Sequence, residues 1–323
     1  MEFNKRLAEL DVGDEIEGFY ILVDPENKLD SRGKPFMSGR LSDRSGSVPI
    51  KIWDFEGPFR QEDSGSIVKI RGRVTEFKGN LQLTVSRIRP IEPDDRVDLS
   101  GLVSVAPLDR SAAVDEVRAL IGSMTDPDYR LAAETLLNEH LDAFSVIPAA
   151  KSIHHSFVSG LLMHTLYMLR TADFLAKLYH ETIDRDLLLT GTLAHDLEKE
   201  REFDISPLGL VQGYSTRGRL LGHLVMGAQC VAEVCERLRL PEEKSLLLQH
   251  MVLSHHGSPE FGAAVEPMIA EAELLSYIDL IDSRMEIYRE QLQEVPEGGF
   301  SGQIFALGKH IYHHGRGDGH GES

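Results

Sequence analysis

Histidine and aspartate recur at long intervals through the second half of this chain: His164, the adjacent pair His195-Asp196, His223, the adjacent pair His255-His256, and Asp279. Imidazole and carboxylate are the side chains that hold catalytic divalent cations. Each of these residues interrupts a stretch that otherwise reads as a buried helix. His164 follows Gly160-Leu161-Leu162-Met163, His195 follows the run Leu187–Ala194, and His255 follows Leu246–Ser254. Desolvated polar groups need partners. Any one of these histidines alone reads more readily as a core residue satisfied by a hydrogen bond. Taken jointly, in this order, they imply convergence on something shared. His140, His180 and His310 stand outside the pattern and read as incidental.

Those residues need a helical scaffold, and the sequence offers one. Apolar residues recur at three and four spacing in 112–122, 129–143, 156–179, 186–199, 218–239, 242–256 and 268–292, which predicts a helix in each. Upstream the pattern is different. From residue 12 to about 92, glycines punctuate short runs rich in Val, Ile and aromatics. Val48–Trp53, Ile67–Arg71 and Leu81–Val85 alternate as strands do, and Lys78-Gly79-Asn80 reads as a tight turn. About five strands in this length suggest a Greek-key barrel. Pro90, Pro93, Asp94 and Asp95 mark a boundary. The fold class expected is therefore multidomain α+β: an N-terminal all-β barrel at 12–92, a linker at 93–110, an all-α domain at 111–310, and a glycine-rich disordered tail at 311–323.

The formal net charge of −18 argues against indiscriminate nucleic-acid binding by the whole surface. The charge is uneven, however. Between Lys28 and Arg89 there are 13 Lys and Arg against 7 Asp and Glu, so this segment is +6 and the rest carries −24. A basic module on an acidic body fits a directed contact with a polyanion. Arg40, Arg44, Lys51, Arg71, Arg73 and Lys78 are the candidate phosphate contacts, and Trp53, with Phe36, Phe55, Phe59 and Phe77, a candidate base-stacking ring. Each also has a plain alternative, as a solvated charge or a core aromatic. Cys230 and Cys235 lie five apart in a predicted helix, a poor geometry for a disulfide, so a reducing cytoplasm is the expected setting. The N-terminal MEFNKRLAEL lacks the apolar core of a secretory signal, and no window is apolar enough for a transmembrane helix, so no membrane association is expected.

Two resemblances sharpen these expectations. Met37–Val48, followed by Lys51-Ile52-Trp53-Asp54, resembles the OB-fold repeat of nucleic-acid-binding proteins over residues 12–92. The order His164, His195-Asp196, His223, His255-His256, Asp279 resembles the HD superfamily of metal-dependent phosphohydrolases, in the branch that holds two metals. The resemblance implies that Asp196 bridges the ions, with His164, His195 and Asp279 completing one site and His223, His255 and His256 the other. A closer likeness is to the YhaM-type 3′–5′ exoribonucleases, which join an OB domain to an HD domain. It rests on His154-His155 ahead of Gly160–Thr165, on Asp186–Gly191 running into His195-Asp196, and on Leu220–His223 and Leu253–Gly257. One position departs. The usual His-Asp-Ile-Gly-Lys is here His195-Asp196-Leu197-Glu198-Lys199. The lysine is kept, but Glu198 stands where glycine is usual, as a solvated residue, a ligand partner or a substrate filter.

The implied activity is metal-dependent 3′–5′ exoribonuclease action on single-stranded RNA, with single-stranded DNA as a second candidate partner, and with the barrel binding the strand. Asp196 and Lys199 are the expected catalytic residues. His154 or His155 would serve the leaving group or the terminal nucleotide, or else merely start a helix. The mixed nitrogen and oxygen donor set suits Mn²⁺, Fe²⁺, Co²⁺, Ni²⁺ or Zn²⁺ better than Ca²⁺, and the resemblance favours two Mn²⁺. Two alternatives stay open: a phosphodiesterase of small nucleotides or cyclic dinucleotides, and a non-catalytic nucleic-acid-binding protein. A homo-oligomer is compatible with either.

Overall fold

A computed structural model describes the chain except residues 1, 78, 93, 104, 151–156, 207, 208, 210 and 316–323. The chain divides into two compact units, one of Met1–Val105 with Ile205–Gln212, the other of Ala106–Asp204 with Gly213–Ser323.

The first unit is built on β2 (Glu15–Leu29), preceded by the short β1 (Glu2–Phe3) and followed by β3 (Pro35–Asp43), β4 (Gly46–Trp53), β5 (Ile67–Phe77) and β6 (Asn80–Pro90). The sheet runs β1-β2-β3-β4-β6-β5, and a further pairing of β2 with β5 closes β2 to β6 into a five-stranded barrel. Closure is possible because β2 is long enough to serve two neighbours. Glu15–Ile21 pairs with β5 and Ile21–Leu29 with β3, the latter with an irregularity between Val23 and Glu26. The pair β4–β6 is parallel and the others around the ring are antiparallel. Alternation sends Tyr20, Leu22, Met37, Leu41, Ile50, Val68, Ile70 and Leu83 into one core, as the period of two requires. Gly72 sits at a register shift in β5, where a Cβ would lie 2.8 Å from the Thr84 carbonyl oxygen. Leu7 and Leu10 are also in this core, so the barrel begins before residue 12.

The second unit is helical: α2 (Arg110–Gly122), α3 (Pro127–Phe144), α4 (Gly160–Leu178), α5 (Arg185–Ala194), α6 (Lys199–Glu202), α7 (Thr216–Leu238), α8 (Glu242–Ser254) and α9 (Ala270–Glu294), with the short α1 (Leu99–Leu102) lying in the first unit. Side-chain caps start several of them. Asp109, Asp126, Asp184 and Ser215 each accept from backbone N–H groups of the following turn, groups that have no partner inside the helix. Every residue of α5 from Asp186 to Ala194 is buried. It is the central helix, and α4, α8 and α9 also contribute to the core through Leu161, Leu162, Leu166, Leu169, Leu248, Met251, Val252, Leu275 and Ile278.

Three details differ from the expectation. A two-stranded sheet of β7 (Phe203–Ile205) and β8 (Val211–Tyr214) interrupts the helices, because three- and four-residue strands are too short to show alternation. The segment 93–110 holds α1 and the start of α2 rather than open linker alone. Order continues past residue 310: Ile311 is buried with Ile287, Ile304 and Leu307, and Tyr312 bridges to Phe300. Residues 316–323 of the expected tail lie outside the described residues.

Candidate metal centre

Five helices, α4, α5, α7, α8 and α9, position the centre. His164 lies in the second turn of α4. His195 caps the C-terminus of α5, with Asp196 next along the chain, and His255 caps α8 in the same way, with His256 beyond. Asp279 projects from α9. His223 sits on α7 just after a break at Gly222, whose φ of 71° and ψ of 161° no helix contains. Only glycine adopts that backbone readily.

Asp196 is the hub. Its Oδ2 lies 3.3 Å from His195 Nε2 and 3.9 Å from His164 Nε2, while its Oδ1 lies 3.4 Å from His223 Nε2 and 3.7 Å from His255 Nε2. The two oxygens of one carboxylate thus face two different groups of ligands. Asp279 Oδ1 stands 3.4 Å from His164 Nε2. Donor atoms of His164, His195 and Asp196 gather within 4.8 Å of one another, and so do those of His223, His255 and His256.

The outer nitrogens explain why the inner ones point inward. His195 Nδ1 donates to the Thr192 carbonyl at 2.7 Å, and His255 Nδ1 to the Val252 carbonyl at 2.7 Å. His164 Nδ1 is 2.6 Å from Asp282 Oδ2, and His223 Nδ1 is 3.0 Å from Glu202 Oε1. An acceptor on Nδ1 places the proton there and leaves the Nε2 lone pair for a cation, as is usual for metal-bound histidine. Glu202 Oε1 also accepts the His223 backbone N–H at 3.2 Å. The positive φ of Gly222 makes that reach possible, and Gly218 permits the approach, since a Cβ there would lie 2.2 Å from the Glu202 carbonyl oxygen.

The electrostatics agree with a cation site. Burial opposes ionisation of Asp196, but Lys199, His195 and His223 overcome it and hold the carboxyl well below its usual range. Burial also works against charge on His195, yet Asp196 and Asp279 raise its pKa. Burial, reinforced by neighbouring imidazoles, pushes His255 well below the usual histidine value, and it lowers His256 too. Both are therefore neutral at pH 7, the form that binds metal. Asp196 Oδ1, His223 Nε2, His255 Nε2 and His256 Nδ1 are buried without a hydrogen-bond partner. Four such atoms at one point would be costly in a finished core. They fit a divalent ion.

Lys199 lies on the same motif, with Nζ donating to Asp196 Oδ2 at 2.6 Å. His154 and His155 fall outside the described residues, as does Lys78. Glu198 is not a solvated helix residue: it is 1% exposed, and its Oε1 accepts from Arg201 at 2.9 Å. Its φ of −74° suits any residue, so the usual glycine is not required for the backbone here. The sequence pattern picks out neither Glu202 nor Asp282, although Asp282 lies one turn beyond Asp279. That i, i+3 spacing was the available signal for Asp282. Glu202 gave none, because its partner lies 21 residues away.

On the barrel, Phe36, Arg40, Lys51 and Trp53 share the outer face of β3 and β4, since Phe36 pairs with Trp53 and Arg40 with Pro49. Arg73 and Phe77 continue it on β5, beside Thr84 and Asn80. Trp53 is 49% and Phe77 54% exposed, and Lys51 Nζ stands 5.0 and 5.3 Å from their ring centres. Phe59 is core, and Phe55 packs against that core. Arg40 is engaged with Ser47. Arg71 lines a groove with Trp53 and Arg87, whereas Arg44 lies apart, in a hollow with Asn4, Arg6 and Tyr20.

Residues 161–284 match the HD domain family model, and residues 26–91 match that of the OB-fold nucleic acid binding domain. Among solved structures, the OB domain of a Thermoplasma acidophilum protein is 16% identical and covers 30% of this chain and 94% of its own, with a TM-score of 0.25. The second OB-fold domain of replication protein A from Methanococcus maripaludis is 20% identical and covers 30% of this chain and all of its own, with a TM-score of 0.22. An OB domain from Methanosarcina mazei is 18% identical, covering 31% of this chain and 92% of its own, at 0.24. No described helix is long and apolar enough to cross a membrane.

Proposed function

We propose that this chain, in which an OB-fold nucleic-acid-binding domain precedes an HD phosphohydrolase domain, is a metal-dependent exoribonuclease that shortens single-stranded RNA from its 3′ end. The observation that carries the reading is the division of Asp196, one oxygen toward His164 and His195 and the other toward His223 and His255. It supports two ions sharing one carboxylate, with Asp279 completing the first set and His256 the second. Two divalent ions held by these residues, Mn²⁺ by preference, would supply charge neutralisation at the phosphoryl group, activation of water at neutral pH and help for the leaving oxygen. The 3′ polarity rests on the likeness of the HD motifs to the YhaM-type enzymes.

The chain's own residues do the positioning. Glu202, Asp282 and the Thr192 and Val252 carbonyls hold four of the five imidazoles, those of His223, His164, His195 and His255, before substrate arrives, so little reorganisation remains for the reaction. Burial opposes charge on Lys199, but Asp196 raises its pKa, so it stays cationic at neutral pH. From Asp196 its ammonium can turn to a phosphoryl oxygen of the scissile group. Trp53 and Phe77 offer stacking faces, with Lys51 and Arg73 as phosphate partners. Tethering a strand-binding unit to a cleaving unit raises the effective concentration of strand at the HD site.

The test is incubation of the protein and Mn²⁺ with 5′-labelled single-stranded RNA, single-stranded DNA, a cyclic dinucleotide and a nucleoside triphosphate. A descending ladder from RNA that disappears in Asp196→Asn, with folding checked by circular dichroism, supports the proposal. Hydrolysis of the small substrates alone overturns it, and a ladder from DNA alone reassigns the substrate.

A further inference from the structure

A second group of ligand-type side chains lies in the helical unit, and the function above does not use it. His140 comes from α3, Glu198 from the turn before α6, and Cys230 from α7. Donor atoms of the three lie within 4.8 Å of one another, with His140 Nε2 3.4 Å from Cys230 Sγ. None is a ligand of the Asp196 centre.

Burial opposes charge on His140, but Cys230 and Glu200, whose Oε1 stands 3.0 Å from Nδ1, push its pKa up to about 10, so an ion taking Nε2 displaces a proton there. Arg201 holds Oε1 of Glu198 at 2.9 Å and so directs the other oxygen inward. That Oε2 is buried on a residue only 1% exposed, has no hydrogen bond of good geometry, and is turned toward the Cys230 thiol. An unsatisfied carboxylate oxygen in such a place is costly unless something binds it. His140 is buried, while Cys230 is only partly so, which leaves a way in for an ion.

We infer that His140, Glu198 and Cys230 form a third cation site, separate from the Asp196 centre, for a thiophilic divalent ion of the zinc class. One nitrogen, one sulfur and one oxygen donor suit tetrahedral zinc with a single open position. The site gives Glu198 a use where the resemblance leads one to expect glycine. It also ties α3 and α7 to the turn that carries Asp196 two residues earlier and Glu202 four residues later.

Sulfur separates this site from the Asp196 centre, whose ligands include none. Chelator-stripped protein is titrated with Co²⁺ and its near-ultraviolet thiolate-to-cobalt charge-transfer band is recorded. The band is expected in the native chain, in His255→Ala and in Cys235→Ser, and is expected to be lost in Cys230→Ser. In a second measurement, Zn²⁺ is expected to slow alkylation of Cys230 by iodoacetamide, with Glu200→Gln weakening that protection by about 10–100-fold in ion concentration. No charge-transfer band in the native chain, a band that persists in Cys230→Ser, or an alkylation rate indifferent to Zn²⁺ overturns the inference. Because the readouts are spectroscopic and chemical, they are independent of whether the HD site cleaves RNA.

Discussion

Glu202→Gln and Asp282→Asn are expected to damage opposite halves of the metal centre. Glu202 Oε1 accepts from both the Nδ1 and the backbone nitrogen of His223, at 3.0 and 3.2 Å. Asp282 Oδ2 lies 2.6 Å from His164 Nδ1. Both substitutions keep the shape and remove the charge. A hydrogen bond to a charged group is worth about 1.5–3 kcal/mol. At about 1.4 kcal/mol per decade, that corresponds to one to two decades of ion affinity, in line with the roughly 10–100-fold cost of altering an outer ligand partner. The Asp196 geometry adds the direction. His223 belongs to the Oδ1 side and His164 to the Oδ2 side. Calorimetric titration of chelator-stripped protein with Mn²⁺ should therefore show two binding steps, with one weakened in Glu202→Gln and the other in Asp282→Asn. RNA cleavage by either variant should recover at raised Mn²⁺. If both variants weaken both steps equally, or if neither shifts either step, the division of labour across Asp196 is wrong.

The other predictions reach beyond the ligands. Trp53→Ala and Phe77→Ala should each weaken binding of single-stranded RNA by about 1–3 kcal/mol, measured by fluorescence anisotropy, while cleavage of a dinucleotide is unchanged. Gly222→Ala places a side chain at a φ of 71°, so it should lower thermal stability by about 1–3 kcal/mol and weaken Mn²⁺ binding in the step sensitive to Glu202. Asp126 caps α3 and pairs with Lys244 at 2.6 Å; burial opposes its ionisation, but Lys244 and the Tyr129 and Asp128 amides hold its pKa below 3.8. A lowered carboxyl contributes stability above its unfolded value and loses it as pH falls through the folded value. Asp126→Ala should thus cost about 0.5–2 kcal/mol at pH 7, and the gap between the two melting curves should close below pH 3.8.

Periodicity carried most of the fold. The seven long helices fall within a few residues of the apolar repeats, because each buries one face and that face dictates the spacing. Alternation made β4, β5 and β6 legible, whereas β2 and β3 entered only through the expected count of about five strands. What escaped was either short or nonlocal. β7 and β8 have no room for a repeat, and Glu202 meets His223 only because Gly222 breaks the helix. The ligand residues could be picked out because polar side chains interrupt apolar helices. Their grouping around Asp196 came with the family likeness, and the distances support that grouping as a proposal. His140 read as incidental for the opposite reason: nothing near it in sequence hints at Glu198 and Cys230, 58 and 90 residues away.

His195 and His255 each terminate a helix while donating to the carbonyl three residues back. The same ring therefore ties off a final turn and presents a donor to the proposed ion. With the ions held as proposed, ion loading and end-fraying of α5 and α8 would be one equilibrium: a clamp at Nε2 would hold the whole ring, and with it the last carbonyls of both helices. The amides around Ala194 and Ser254 then act as built-in reporters of occupancy, exchanging their hydrogens faster whenever the centre gives up its metal.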